Sequence, residues 1–201
     1  MNYQLVLEEE LKHIKPGSRL LLHACCAPCS SYCIEYLSNY FQITIFYYNP
    51  NIDTDEEYNK RVNELKRFVS EFNTKYPVDA IDLGHLQEEY DREVVGLENE
   101  PERGARCLKW YELRLRKSFV YAKEHNYDYI TTTLTLSPLK NSKVINEIGK
   151  KLEDEYNFKY LYSDFKKKEG YKRSIVLSRE YNLYRQDYCG CKYSKNKKIY
   201  D

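Results

Sequence analysis

The feature that most constrains this chain is the alternation of short β-rich apolar runs with longer segments of helical spacing. Arg19–His23 (RLLLH), Gln42–Tyr48 (QITIFYY), Val78–Leu83 and Tyr129–Leu136 (YITTTLTL) read as four strands. The intervening segments read as helices: Pro28 to about Leu37, Glu56–Phe72 with Val62, Leu65, Phe68 and Val69 on one face, Leu86–Val95, and about Cys107 to His125. A helix over Tyr3–Ile14, closed by Pro16-Gly17-Ser18, precedes them; a helix over Lys140–Tyr156 and a short strand at Tyr160–Tyr162 follow. Such alternation builds βαβ units, and hence a three-layer α/β domain with a mostly parallel sheet covered on both faces. Ligands of such sheets bind beyond the carboxyl ends of the strands. That rule places Cys25, Cys26, Cys29, Pro138 and the polar loop Gly96–Arg106 before Cys107 around one mouth. Residues 163–201, basic and rich in Tyr and Lys, are expected to be less regular and to pack at that mouth. The whole is expected to be one domain over 1–201 with its core at about 18–162.

Composition narrows the class. Of the 42% hydrophobic residues, 22 are Tyr; without them the figure falls to roughly 31%, against 31% charged. Mean hydropathy is −0.78, and no run approaches the ~20 apolar residues of a membrane span. The start MNYQLVLEEELKHIK is acidic and has no apolar signal core, so a cytoplasmic protein is expected. Net charge is +1, but from Lys166 onward 11 basic residues face 4 acidic ones, while residues 1–165 hold 21 basic and 27 acidic. A basic segment on an acidic body suits a polyanionic partner met at one surface, with a solvated lysine-rich tail as the alternative.

Seven cysteines, at 25, 26, 29, 33, 107, 189 and 191, lie in a chain without an export signal, where clustering points to metal or redox chemistry. Cys25, Cys26 and Cys29 sit where a strand hands over to a helix, so the helix N-terminus favours their thiolates. Cys189-Gly190-Cys191 allows either two sulfurs on one metal or a strained, easily reduced disulfide. Cys107 opens a helix behind Arg103-Gly104-Ala105-Arg106. Cys33, one turn into its helix, reads as packing, and His23 as a satisfied strand-end histidine. All-sulfur ligation suits zinc or an iron–sulfur cluster, and the ligand types leave both open. The Gly-rich cradle of an ATP-using enzyme is missing; cysteines stand in its place.

Four motifs in this order carry a resemblance: HACCAPCS after the first strand, RCLKWYELRL on the middle helix, TTTLTLSPLKN after the fourth strand, and YRQDYCGCKYS near the end. From about Arg19 to Ser194 the chain resembles the QueH family of epoxyqueuosine reductases. The resemblance implies a nucleotide-binding-like (HUP-like) α/β fold with the phosphate loop replaced by cysteines. It also implies a [4Fe-4S] cluster and an additional iron. The implied reaction removes the epoxide oxygen from epoxyqueuosine at the tRNA wobble position, giving queuosine in the last step of its biosynthesis. By position, Cys25 and Cys26 match the family's adjacent pair and Cys107 its middle-helix ligand. Cys189 and Cys191 match a C-terminal pair that serves as redox dithiol or as metal ligands, and Cys29 a position held by Cys or Asp. Many members have Cys-x-x-Cys on the middle helix, where this chain has Trp110, so either Cys29 or one of Cys189 and Cys191 would complete the set, or the cluster would be held less tightly.

Deoxygenating an epoxide needs two electrons, a proton and a Lewis acid for the departing oxygen, and here an unidentified electron donor. An anticodon-loop substrate needs cations for phosphates and aromatic faces for stacking. Lys166–Lys168, Tyr171, Lys172, Arg173, Tyr181, Tyr184 and Arg185 have that composition, with Tyr171, Lys172, Arg173, Tyr184 and Arg185 as candidate substrate contacts. Two other classes compete: a zinc-stabilised, non-catalytic RNA-binding module, and a metal-free thiol-disulfide oxidoreductase using the Cys-Gly-Cys pair.

Overall fold

A computed structural model describes residues 1–195, so Lys197 and Lys198 of the basic segment lie outside the described residues. Four strands, β1 (Ser18–Ala24), β2 (Phe41–Tyr47), β3 (Val78–Asp82) and β4 (Tyr129–Thr132), form one parallel sheet in the order β3-β2-β1-β4. The helices are α1 (Tyr3–Leu11), α2 (Ala27–Leu37), α3 (Asp55–Glu71), α4 (Gln87–Glu93), α5 (Ala105–Glu124), α6 (Ser142–Tyr156) and α7 (Gly170–Glu180). None of them is long and apolar enough to cross a membrane.

β1 is buried continuously from Leu20 to Ala24, as a central parallel strand must be. Its alternate side chains serve two layers. Leu20, Leu22 and Ala24 join Ile43, Ile45 and Tyr47 of β2 in a core closed by Ile34 and Leu37 of α2 and Val62, Leu65 and Phe68 of α3. Leu21, Phe46 and Tyr48 point the other way, against Ala122 of α5 and Tyr127. Each of these fully buried Leu or Phe side chains contributes about 1.5–3 kcal/mol. α3 starts where it does because Thr54 Oγ1 accepts from Glu57 N, with Asp55, Glu56 and Glu57 in the positively polarised first turn.

The chain builds outward from β1 to β3, then returns to lay β4 on the other flank of β1. The connections leaving β1 and β4 therefore diverge, and the crevice between their carboxyl ends is the topological switch point of the sheet. Cys25 leaves β1 and Thr133 leaves β4 at that crevice.

The structure differs from expectation in three places. β4 stops at Thr132; Thr133–Leu136 forms a buried 3-10 turn, capped as Thr132 Oγ1 accepts from Leu134 N at 3.2 Å. Tyr160–Tyr162 is reduced to one parallel bridge from Tyr160 to Ile130. The C-terminal segment is more regular than its composition suggests, because α7 packs along α2. The contact uses small residues: Gly170, whose missing Cβ would lie 2.5 Å from Tyr32 Cε1, and buried Ser174 and Ser178.

Candidate metal and redox centre

Cys26 occupies the N-cap of α2 in extended backbone, with Pro28 in the first turn. Its Sγ accepts from Cys29 N at 3.4 Å, which folds the loop so that the Cys25, Cys26 and Cys29 sulfurs converge within 4.8 Å of one another. The Cys25–Cys26 Sγ separation is 3.8 Å, the edge expected when two thiolates share one tetrahedral ion at ~2.3 Å. This trio has the geometry to hold a metal ion.

The other thiols arrive from distant segments. Cys107 lies in the first turn of α5, where Arg103 N donates to its Sγ at 3.2 Å. Cys189 is brought in by the C-terminal loop. Together Cys25, Cys29, Cys107 and Cys189 line one cavity of about 60 Å³, whose walls include Arg61, Trp110, Tyr111, Lys140 and Gln186. Cys191 does not line it: it is buried against the Tyr90–Trp110 cluster, its Sγ 3.5 Å from Ser194 Oγ. Cys33 is fully buried and donates to Cys29 O, the packing role expected of it.

Arg61 holds the loop that carries Cys189. From α3, and only 2% exposed, it donates to Cys189 O at 3.3 Å and Tyr188 O at 3.4 Å while paired with Glu57 at 2.6 Å. Tyr188 OH donates to Asp53 at 2.7 Å, and Asp53 N donates back to Gly190 O. Gly190 has φ +118°, and a Cβ there would come within 3.0 Å of Arg61 Nη1; only glycine takes that backbone without strain.

The electrostatics favour one anionic sulfur, that of Cys25, and not the three thiolates expected at the helix N-terminus. Hydrogen bonds from the Cys26 and Cys29 thiols pull Cys25 well below its ordinary value. The same negative charge pushes Cys26 up to about 12 and raises Cys29 well above normal. Burial raises Cys107 and Cys189, the latter opposed by Lys140 and Arg114. Burial disfavours the Lys140 ammonium, yet Cys189, Tyr111 and Cys25 facing it push its pKa up. His23 is held neutral, its pKa depressed to about 3 by burial and by Arg114; its ring nitrogens meet Thr132 Oγ1 at 2.9 Å and Tyr48 O at 3.3 Å. An all-sulfur donor set backed by cations fits a thiolate-bound soft or borderline metal, not a hard cation such as Mg²⁺.

The candidate substrate contacts divide. Tyr171 and Arg185 line a second cavity of about 30 Å³, which shares Cys29 and Gln186 with the first. Arg185 also donates to Ser178 Oγ. Lys172 is exposed and pairs with Glu169. Arg173 braces α7 against α2 through Glu35 at 2.6 Å, and Tyr184 binds Glu57 through its hydroxyl. Of the lysines before α7, Lys166 pairs with Asp164 and Lys168 with Glu8.

The family model described as "Epoxyqueuosine reductase QueH" matches residues 20–197. The chain belongs to the epoxyqueuosine reductase QueH family. Among its relatives, the epoxyqueuosine reductase QueH of Streptococcus pyogenes serotype M1 is 43% identical over 96% of this chain and 78% of its own length. That of Staphylococcus epidermidis is 41% identical over 100% of this chain and 87% of its own. The more distant Thermotoga maritima protein is 30% identical over 87% and 89%.

Within this family framework, Trp110 is buried beside the cavity, with the Arg114 guanidinium 3.4 Å from its ring centre. Sequence reasoning gave no role to Arg61, Arg114, Lys140 or Gln186. Two of the four had a usable signal. Arg61 falls on the buried stripe Tyr58-Val62-Leu65, and Arg114 on the stripe Trp110-Tyr111-Ser118. A cation on an apolar helix face needs an anionic partner inside the fold.

Proposed function

We propose that this chain is an epoxyqueuosine reductase, an iron–sulfur oxidoreductase that converts epoxyqueuosine to queuosine at the wobble position of tRNA in the cytoplasm. Four cysteines from three distant segments meeting at the switch-point cavity carry this reading, in a chain of the QueH family. Cys25, Cys26 and Cys107, completed by Cys29 or Cys189, would hold a [4Fe-4S] cluster and an additional iron, which together supply single-electron transfer and Lewis acidity. The reaction consumes two electrons from a separate donor and one proton to free the oxygen as hydroxide, and a second proton releases it as water. Lys140, which lines the cavity together with Arg61 and Arg103, would face the incoming oxygen. Tyr171 and Arg185, at the adjoining cavity, would receive the flanking nucleoside and its phosphate. The Cys189-Gly190-Cys191 loop serves as ligand or as redox pair, docked on residues 18–162 as part of one catalytic unit.

Anaerobic purification with iron and sulfide analysis, followed by turnover of tRNA carrying epoxyqueuosine, tests the reading. A brown protein with about four to five irons and four sulfides is expected. Stoichiometric zinc without iron, from iron-replete anaerobic cells, would favour the RNA-binding module instead. A colourless metal-free protein that cycles a disulfide would favour the thiol-disulfide enzyme.

A further inference from the structure

Arg114 is the bulkiest fully buried side chain among the described residues, and no carboxylate there meets it. Its Nη1 donates to Asn49 Oδ1 at 2.9 Å, and Asn49 Nδ2 donates to the carbonyl of Ala24, the residue before Cys25. The guanidinium is thereby fixed in place over the Trp110 ring. Its Nε and Nη2 hydrogens find no acceptor. A buried cation with idle donors costs several kcal/mol unless an anion answers it. The groups it interacts with electrostatically are the thiols of Cys25, Cys189 and Cys107, the Tyr111 and Tyr48 hydroxyls and the neutral His23 ring.

We propose that Arg114, held by Asn49 and Trp110, is the counter-cation of the thiolate-bound centre and donates a hydrogen bond to its sulfur, setting its reduction potential. This rests on the reading that the cysteines hold iron. Positive charge and N–H donation stabilise the reduced, more negative form more than the oxidised one, so they raise the potential. A lysine cannot replace this group fully, because it lacks a planar face for Trp110 and a fork that serves Asn49 and sulfur together.

The test is a potentiometric titration followed by electron paramagnetic resonance, with iron and sulfide measured on each sample and no turnover assay. Arg114→Met should keep its iron and lose at least tenfold in its one-electron reduction equilibrium constant, a fall of about 59 mV or more. Arg114→Lys, which keeps the charge, should recover part of that loss. An unchanged potential in iron-loaded Arg114→Met overturns the proposal. If Arg114→Met does not load, Arg114→Lys decides: a lowered potential supports the role and an unchanged one overturns it. Loss of iron from both variants, with the unsubstituted chain fully loaded, makes Arg114 a holding residue and overturns the tuning. Absence of iron from the unsubstituted chain overturns the functional reading itself, and this role with it.

Discussion

Replacing Arg61 with Met removes the guanidinium that ties the C-terminal loop to α3 while keeping most of the side-chain bulk. Three bonds are lost: to Glu57 Oε1 at 2.6 Å, Cys189 O at 3.3 Å and Tyr188 O at 3.4 Å. Removing one partner of a buried ion pair costs about 3–5 kcal/mol. Glu57 is 13% exposed and keeps the Tyr184 hydroxyl at 3.1 Å, so the lower end applies, about 3 kcal/mol. At roughly 2–4 °C per kcal/mol for a chain of this size, Tm should fall by about 6–12 °C. The loss is also local, because the freed carbonyls flank Cys189. Alkylation of Cys189, followed by mass spectrometry with buried Cys33 as internal reference, should therefore speed up below the melting range. A Tm within about 2 °C of the unsubstituted protein, with Cys189 labelling unchanged, would refute the clamp.

Three further outcomes are expected. Cys25→Ala, Cys26→Ala or Cys107→Ala should lower iron content and brown absorbance together with activity, whereas Cys33→Ala should leave iron content intact; elemental analysis of the four variants checks this. Changing Lys166, Lys167 and Lys168 together to Gln should weaken tRNA binding across sequences and flatten its salt dependence, read by titration at several salt concentrations. Unchanged affinity would place the substrate on another surface. Glu64 is held below its ordinary value by the Arg67 hydrogen bond, with Tyr184 N adding to it. A depressed carboxyl contributes stability above its unfolded value of about 4.3 and loses it as pH falls through the folded value. The Tm gap between the unsubstituted protein and Glu64→Gln should thus be widest near neutrality and close in acid, which thermal melts across pH will show.

What could be read from the sequence follows from how each residue is bound. β1 and the thiol turn were legible because RLLLH carries three consecutive leucines before the strand exit and Pro28 suits a first helical turn. β4 was overextended because YITTTLTL has β-branched residues throughout, while the Thr132 hydroxyl ends the ladder by capping the next turn, a choice made by one side-chain bond. α7 escaped because three of the four residues it buries, Gly170, Ser174 and Ser178, are small and only Leu177 is apolar, which leaves no hydrophobic period. The meeting of Cys25, Cys29 and Cys107 at one mouth was legible from topology, whereas Cys189 lies in a segment that the strand rule does not place. The withdrawal of Cys191 from the cavity was not, since it depends on Gly190 turning the backbone at φ +118°.

The thiols of this centre are separated in time as well as in sequence. Cys25, Cys26 and Cys29 leave the ribosome first and are already grouped on one short strand-to-helix turn, whereas Cys189 emerges some 160 residues later, on the order of ten seconds or more. On the reading that these thiols hold iron, a centre that also needs Cys189 cannot be completed during that interval, whereas the three-sulfur turn, once folded, would already offer a partial site to zinc. Iron would then be taken up only once the C-terminal loop has been made. The metal first captured in a cell would then depend on the order of these events as much as on affinity.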